Sequence, residues 1–275
     1  SSTIETVKYL ESKGFVIDYV KIREDGLIDL DNLKELIGDN TILVAISYVD
    51  SELGIKQNIK EIRKIISNYP KCLFHVDATQ AIGKVNIDFS DMDFMSMSAH
   101  KIFGMKGIGL LIKKDNIVID NLIHGGKSTT DFRSGTPALP LICSLMKALE
   151  LVIPNVDSNY EYVSRINNII KDNLNKYDDI HINSTINSIP YIINFSLKGI
   201  KSETFIHAME EEGIYLSTKS ACSTSSLSNA IYSIYHDTDI ASSSIRISLS
   251  CKNTEDEARK FNEIFDKVYD KLSLK

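Results

Sequence analysis

Two neighbouring stretches decide how this chain is read: CLFHVDATQAIGK, residues 72–84, and DFMSMSAHKIFGMKGIGLLIKK, residues 93–114. An apolar run over 72–76 breaks off at Asp77. A second, over 94–97, ends in Ser98, Ala99, His100 and Lys101, and a third, over 107–112, follows a glycine-rich turn. Short apolar runs ending in polar residues read as buried strands with a site at their carboxyl ends.

Upstream, Ile4, Val7, Tyr9 and Leu10 suggest a helix that Gly14 ends before a short strand over 16–20. Asp29 or Asp31 then caps a helix through Leu33, Leu36 and Ile37. A β-branched run over 41–49 ends in Asp50, Ser51 and Glu52, and helical spacing over 59–66 stops at Tyr69-Pro70. Downstream, a helix over 139–152 leads to a boundary at Pro154-Asn155 and a long helix over 160–177. Beyond it come a strand over 191–197, a helix over 203–212, a strand near Tyr215, a serine-rich loop, a strand over 245–249 and a closing helix over 254–272. The pattern predicts an α/β domain with a mostly parallel sheet in residues 1–154 and a smaller α+β domain in 155–275, without internal repeats.

With 275 residues, 43% of them hydrophobic, the chain can bury a sizeable core. A net charge of −6 argues against a nucleic-acid face; the densest basic stretch, KEIRK at 60–64, reads as a solvated helix face. Cys72, Cys143, Cys222 and Cys251 show no CxxC spacing, which implies neither a zinc knuckle nor a disulfide framework and fits a reducing, cytoplasmic setting. No apolar run is expected to reach membrane-spanning length, and the first residues read as an amphipathic helix rather than a signal peptide. A chain that opens inside a helix without an initiating Met reads as a fragment or a processed product.

The strand ends carry a specific chemistry. A lysine able to form a Schiff base, an acid that stays ionised against a ring nitrogen, and hydroxyl or imidazole donors for a phosphate together describe a pyridoxal phosphate site. Asp77 would hold the pyridinium proton, Gln80 would reach the phenolic oxygen, and Ser98 and His100 beside Lys101 would donate to the phosphate. Singly, each has a plainer reading. Asp77 fits a helix cap, His100-Lys101 a surface pair, and GMKGIG a hairpin turn. The joint pattern favours the cofactor. HGGKST at 124–129 is no Walker loop, because Asn121 stands where the first glycine is required.

The motifs HVDATQAIGK, SMSAHKIFGMKGIGLL, HGG followed by FRSGT, SAC and SSIRISLS, in this order, resemble the series of the cysteine desulfurases. These are fold-type I pyridoxal phosphate enzymes of the class V aminotransferase superfamily, and the version here resembles the NifS/IscS branch. The resemblance implies a homodimer that acts on L-cysteine, releases L-alanine and passes sulfur, through a persulfide on Cys222, to iron-sulfur cluster assembly or tRNA thiolation. It makes Lys101 the cofactor-linking lysine, Asp77, Gln80, Ser98 and His100 cofactor ligands, Thr136 a ligand to the neighbouring subunit's phosphate, and Arg246 the substrate-carboxylate residue. A planar guanidinium can grip a carboxylate with two parallel hydrogen bonds. A structural ion pair for Arg246 and an inert thiol for Cys222 are the plain alternatives. Other class V activities, selenocysteine lyase or aminotransferase, and a non-catalytic remnant or partner subunit are the alternatives for the whole chain.

Asp50 and Ser51 stand where the family has paired asparagines, so the Ser51 hydroxyl is expected to replace an amide near the phenolic oxygen and substrate. Residues 127–131 replace a Gly-Xaa-Glu-Arg-Gly segment, and Lys219 replaces a glycine. The resemblance puts the family's cofactor-stacking histidine and Gly/Thr phosphate loop ahead of Ser1, and its iron-sulfur scaffold contact in a tail beyond Lys275.

Overall fold

A computed structural model describes residues 2–126, 132–218 and 227–273. In chain order its elements are α1 (Ser2–Glu11), α2 (Leu30–Leu36), β1 (Leu43–Ser47), α3 (Ile59–Ile66), β2 (Leu73–Asp77), β3 (Phe94–Ser98), β4 (Gly109–Lys113), α4 (Leu139–Val152), α5 (Val156–Leu174), β5 (Ile180–Ile182), β6 (Ile192–Leu197), α6 (Ser202–Glu211), α7 (Asn229–Tyr235), α8 (Thr238–Ser242), β7 (Ser244–Ser248) and α9 (Glu255–Ser273). They fall into two compact units. One comprises residues 38–48 and 59–156; the other comprises 1–37, 49–58 and 157–275.

The first of these units is built on the sheet β1-β2-β3-β4, with β1, β2 and β3 parallel and β4 antiparallel. Its two faces differ. Val44, Phe74, Val76, Met95 and Met97 are buried on one face. Ser47, His75, Asp77, Ser96 and Ser98 alternate onto the other. Helix α3 buries Ile59, Ile62, Ile65 and Ile66 as one stripe and turns Lys60, Glu61 and Lys64 outward, which accounts for the KEIRK stretch. Helix α4 packs Leu145, Ala148 and Val152 against Ile82, Met97, Ala99 and Ile102. That approach needs glycine at position 83, where φ is +70° and a Cβ would lie 2.8 Å from the Val152 side chain.

The other unit carries the antiparallel sheet β5-β6-β7. Ile193, Phe195, Leu197, Ile245 and Ile247 cluster with Ile166 and Ile170 of α5, Phe205 and Met209 of α6, and Phe261 and Phe265 of α9. Phe265 is fully buried and its ring contacts Tyr177, Phe195, Phe205, Phe261 and Tyr269 with centroids 5.2–6.0 Å away. Leu53 and Ile55 form a satellite core with Ile231 and Ile234 of α7 and Ala241 of α8.

The structure corrects several expectations. Residues 16–20 form no strand: Val16 is 87% exposed, Tyr19 is 64% exposed, and only an isolated Ile22–Ile28 bridge follows. Near Tyr215 there is a single bridge, Ser217 with Arg246, instead of a strand. β5, α7 and α8 are additions. The division at 154/155 differs from the spatial one, because hydrogen bonds tie residues 1–37 and 49–58 to the chain's last third. Lys56 N–H donates to Asn187 O, Ile189 N–H to Gly54 O and Thr185 Oγ1 to Asp25 O, at 2.8–3.0 Å. Finally, the run Leu139–Leu174 is long and apolar enough to span a membrane by length and composition alone, although Pro154 and the Lys147–Glu150 ion pair interrupt it.

Candidate active site

Asp77 is the last residue of β2, level with Ser47 of β1 and Ser96 of β3. Ser98 is the last residue of β3 and starts a 3₁₀ turn, Ala99–Ile102, that carries His100 and Lys101. Adjacent parallel strands therefore deliver the acid and the amine to the same end of the sheet. Asp77 also does the local work of a cap, since its Oδ1 accepts from Thr79 N–H at 2.9 Å. Gln80 Oε1 accepts from Lys84 Nζ at 2.6 Å. Ser98 makes no capping bond with its side chain. Lys101 and His100 are exposed, and among the described residues their side chains have no hydrogen-bond partner.

The turn under Lys101 is tightly held. Ile102 is buried, Phe103 adopts the left-handed conformation at φ +66°, and Gly104 N–H closes back on Ala99 O at 3.0 Å. A left-handed bulky residue costs about 1–2 kcal/mol, so the packing of Ala99 and Ile102 fixes the geometry against local preference. Gly109, opposite Ser98, has no room for a Cβ, which would come 2.6 Å from Met97 O.

His75 belongs to this cluster although it had no assigned role. Its Nε2 lies 3.0 Å from Ser96 Oγ, on the face that carries Asp77. Burial lowers its pKa and so favours the neutral ring, opposed by the Asp77 charge. The signal was the alternation in His75-Val76-Asp77, which puts the first and last side chains on one face.

In the other unit, Ser51 and Arg246 meet. Arg246 Nη1 donates to Ser51 O at 2.9 Å, Nη2 reaches Ser217 Oγ at 3.5 Å, and Arg246 also exchanges both backbone hydrogen bonds with Ser217. The Ser51 contact thus uses its backbone carbonyl, where a hydroxyl contact was expected. Burial disfavours the guanidinium charge, and Glu52 and Asp50 support it. Asp50 Oδ1 accepts from Glu52 N–H and Leu53 N–H at 2.9 and 2.6 Å, which shapes the turn. Glu52 Oε2 accepts from Ser228 Oγ at 2.6 Å.

Thr136 is exposed in the unit that holds Lys101. Cys222 lies outside the described residues, as do Lys219 and 127–131. Of the other cysteines Cys72 is buried, Cys251 half-buried and Cys143 exposed.

The donor set around Lys101 suits pyridoxal phosphate: an unengaged amine, an unengaged hydroxyl and an imidazole for a phosphate, and a carboxylate at the neighbouring strand end for a ring nitrogen. The comparisons with known proteins agree with this reading. The family model for Aminotransferase class-V matches residues 1–261. The chain is 36% identical over 273 residues to "Cysteine desulfurase IscS" of Clostridium botulinum, covering 96% of this chain and 68% of that protein. It is 38% identical over 263 residues to the protein of the same name from Buchnera aphidicola subsp. Baizongia pistaciae, covering 93% and 64%. The chain thus spans about two thirds of the length of these relatives. Among solved structures, a "NIFS-LIKE PROTEIN" superposes with a TM-score of 0.91 at 30% identity, covering 98% of this chain and 72% of that one. A match over almost the entire chain, with the same fold and the ordered motifs at its strand ends, shows that the chain belongs to the class-V aminotransferase family and is similar within it to the IscS/NifS proteins.

Proposed function

We propose that the chain acts as a pyridoxal-phosphate-dependent cysteine desulfurase. The observation that carries this reading is the Ser98 hydroxyl at the end of β3 and the Lys101 amine in the following turn, both unengaged among the described residues, with Asp77 ending the adjacent β2. In this reading the unit holding Lys101 carries the cofactor site, and the unit holding Arg246 carries the cysteine segment.

Bound pyridoxal phosphate supplies an electron-withdrawing ring that labilises bonds of an attached amino acid. Asp77 would keep the proton on the ring nitrogen, and Gln80 would donate to the phenolic oxygen. Ser98 and His100 would hold the phosphate, with Thr136 serving the neighbouring subunit of a homodimer. Lys101 would carry the cofactor and move protons at the substrate's carbons. Arg246 receives the carboxylate of L-cysteine, with the Ser51 carbonyl holding one side of the guanidinium. The Cys222 thiolate attacks the substrate sulfur. A sulfur–sulfur bond forms, the carbon–sulfur bond breaks with its electron pair on carbon, a proton is added there, and L-alanine leaves a persulfide on Cys222.

Exposed Leu139, Ile142 and Met146 along α4 support the homodimer, since a row of large apolar side chains is disfavoured in water. A cytoplasmic location, and an iron-sulfur scaffold or other sulfur-acceptor protein as partner, complete the proposal.

The test is colour and sulfide. Protein incubated with pyridoxal phosphate should gain a visible absorption band that Lys101→Ala abolishes, and should release sulfide from L-cysteine until Cys222→Ser removes it. A chain that stays colourless overturns the cofactor reading. Full sulfide release from Cys222→Ser overturns the persulfide step and favours another class V activity.

A further inference from the structure

The sheet β5-β6-β7 has two unlike faces. Ile193, Phe195, Ile245 and Ile247 enter the core, whereas Asn194, Ser196 and Arg246 stand on the opposite face. Asn194 and Arg246 are direct cross-strand partners, so their side chains stand next to each other. They also grip one turn. Arg246 Nη1 donates to Ser51 O at 2.9 Å, and Asn194 Nδ2 donates to the next carbonyl, Glu52 O, at 3.1 Å.

The two side chains are satisfied to different degrees. Asn194 is 1% exposed and has all its polar atoms engaged. Its Oδ1 accepts from Asn183 Nδ2 at 2.7 Å, its N–H donates to Ser184 Oγ at 2.8 Å, and its carbonyl accepts from Asn183 N–H at 2.8 Å. Arg246 is only partly engaged. Its Nη2 contact to Ser217 is long, and among the described residues its buried Nε donor has no partner. An unmade bond at a buried cationic group is costly, and an incoming anion would relieve it.

We propose that Asn194 is a positioning residue for Arg246: by fixing the Glu52 carbonyl it holds the turn whose Ser51 carbonyl takes Nη1, and it leaves the Nε/Nη2 edge for the substrate carboxylate. This rests on the reading of Arg246 as the carboxylate-binding residue. The amide is suited to the task because it donates to Glu52 O without bringing a negative charge beside the guanidinium. Asn194→Asp keeps the shape, turns that donor into an acceptor facing another carbonyl, and puts a competing anion next to Arg246.

The experiment compares Asn194→Asp and Arg246→Lys in the pyridoxal-phosphate-loaded protein. Calorimetric binding of L-alanine and the KM and kcat for L-cysteine are measured, with circular dichroism as the check on folding. Both variants should weaken L-alanine binding and raise KM about 10-fold or more, the scale of a lost hydrogen bond to a charged group, with kcat little changed in Asn194→Asp. A folded Asn194→Asp with wild-type L-alanine affinity overturns the proposal, as does a fall in kcat at constant KM. If Arg246→Lys also binds L-alanine normally, the carboxylate reading falls and takes the proposal with it. If only Arg246→Lys is impaired, the proposal alone fails. Should Asn194→Asp not fold, Asn194→Ser, which loses the reach to Glu52 without adding charge, gives the same decision.

Discussion

The Lys101 cluster and the Arg246 cluster are assembled by opposite routes. Asp77, Gln80, Ser98, His100 and Lys101 come from two successive strand ends, and short local turns set their geometry. Arg246 instead takes its partners from Ser51, 195 positions away, and Ser217, 29 positions away. The first arrangement needs a sheet and little else. The second exists only when the β5-β6-β7 core has brought remote segments together, so its integrity should follow core packing.

The sharpest way to break this contrast is Phe265→Ala. Emptying the centre of the aromatic cluster should cost about 3–5 kcal/mol, and hydrogen exchange should show β6, β7 and α9 losing protection well before β1–β3. Equal loss in both units would mean that they unfold together, and the contrast would then be one of sequence distance alone.

Asp93→Ala tests the other side. Asp93 is 5% exposed and accepts from Arg63 Nη1 at 2.8 Å, Phe74 N–H at 2.9 Å and Lys114 Nζ at 3.0 Å. Its loss should cost about 3 kcal/mol, the low end for a broken buried pair because both cations keep access to water. Burial pushes its pKa up, but Lys114, the Phe74 N–H and Arg63 outweigh that and hold it below the usual range. A depressed carboxyl stabilises the fold above its unfolded pKa. The gap between wild type and Asp93→Ala in denaturant melts should therefore be full at pH 7, start to shrink below about pH 4 and close only as pH falls through the depressed folded pKa.

Gly109→Ala should be milder in stability, about 1–3 kcal/mol for overpacking against Met97 O. It should also move Ser98 and shift the cofactor absorption band while leaving L-alanine binding at Arg246 intact. The smallest effect is expected for Asp29→Ala. It removes the cap bonds to Asp31 N–H and Asn32 N–H at 2.9 and 3.1 Å, costs about 1 kcal/mol in thermal melts, and should disturb neither cluster.

This difference in assembly also explains what could be read from the sequence. Helix α3 and the first four strands follow from periodicity and from polar residues at strand ends, and α2 follows from its Asp29 cap. Those signals are local. β5 has only three residues, too few for alternation to register, and the turn at Asp50–Gly54 gives no sequence hint that it docks on β6 and β7. α7 and α8 did carry signals, Ser228 and Asp237 as side-chain caps, but the serine-rich run before them hid the pattern. The largely apolar stretch 16–20 misled because strand preference depends on a partner, and none of the described residues pairs with it. Arg246 and Cys222 were reached only through resemblance, since a lone arginine or thiol carries no spacing.

Strand β6 has one more property with a consequence. All six of its residues, Ile192–Leu197, are buried, so water on one side and oil on the other cannot choose its alignment. A slip by one position would trade every side chain between faces at little cost in exposed area. The chain of amides and hydroxyls from Asn183 through Asn194 and Ser196 tolerates one alignment only, in the manner of a key cut for a single lock. Sequences that replace these residues with aliphatic ones should lose the ability to distinguish right from wrong threading before they lose compactness.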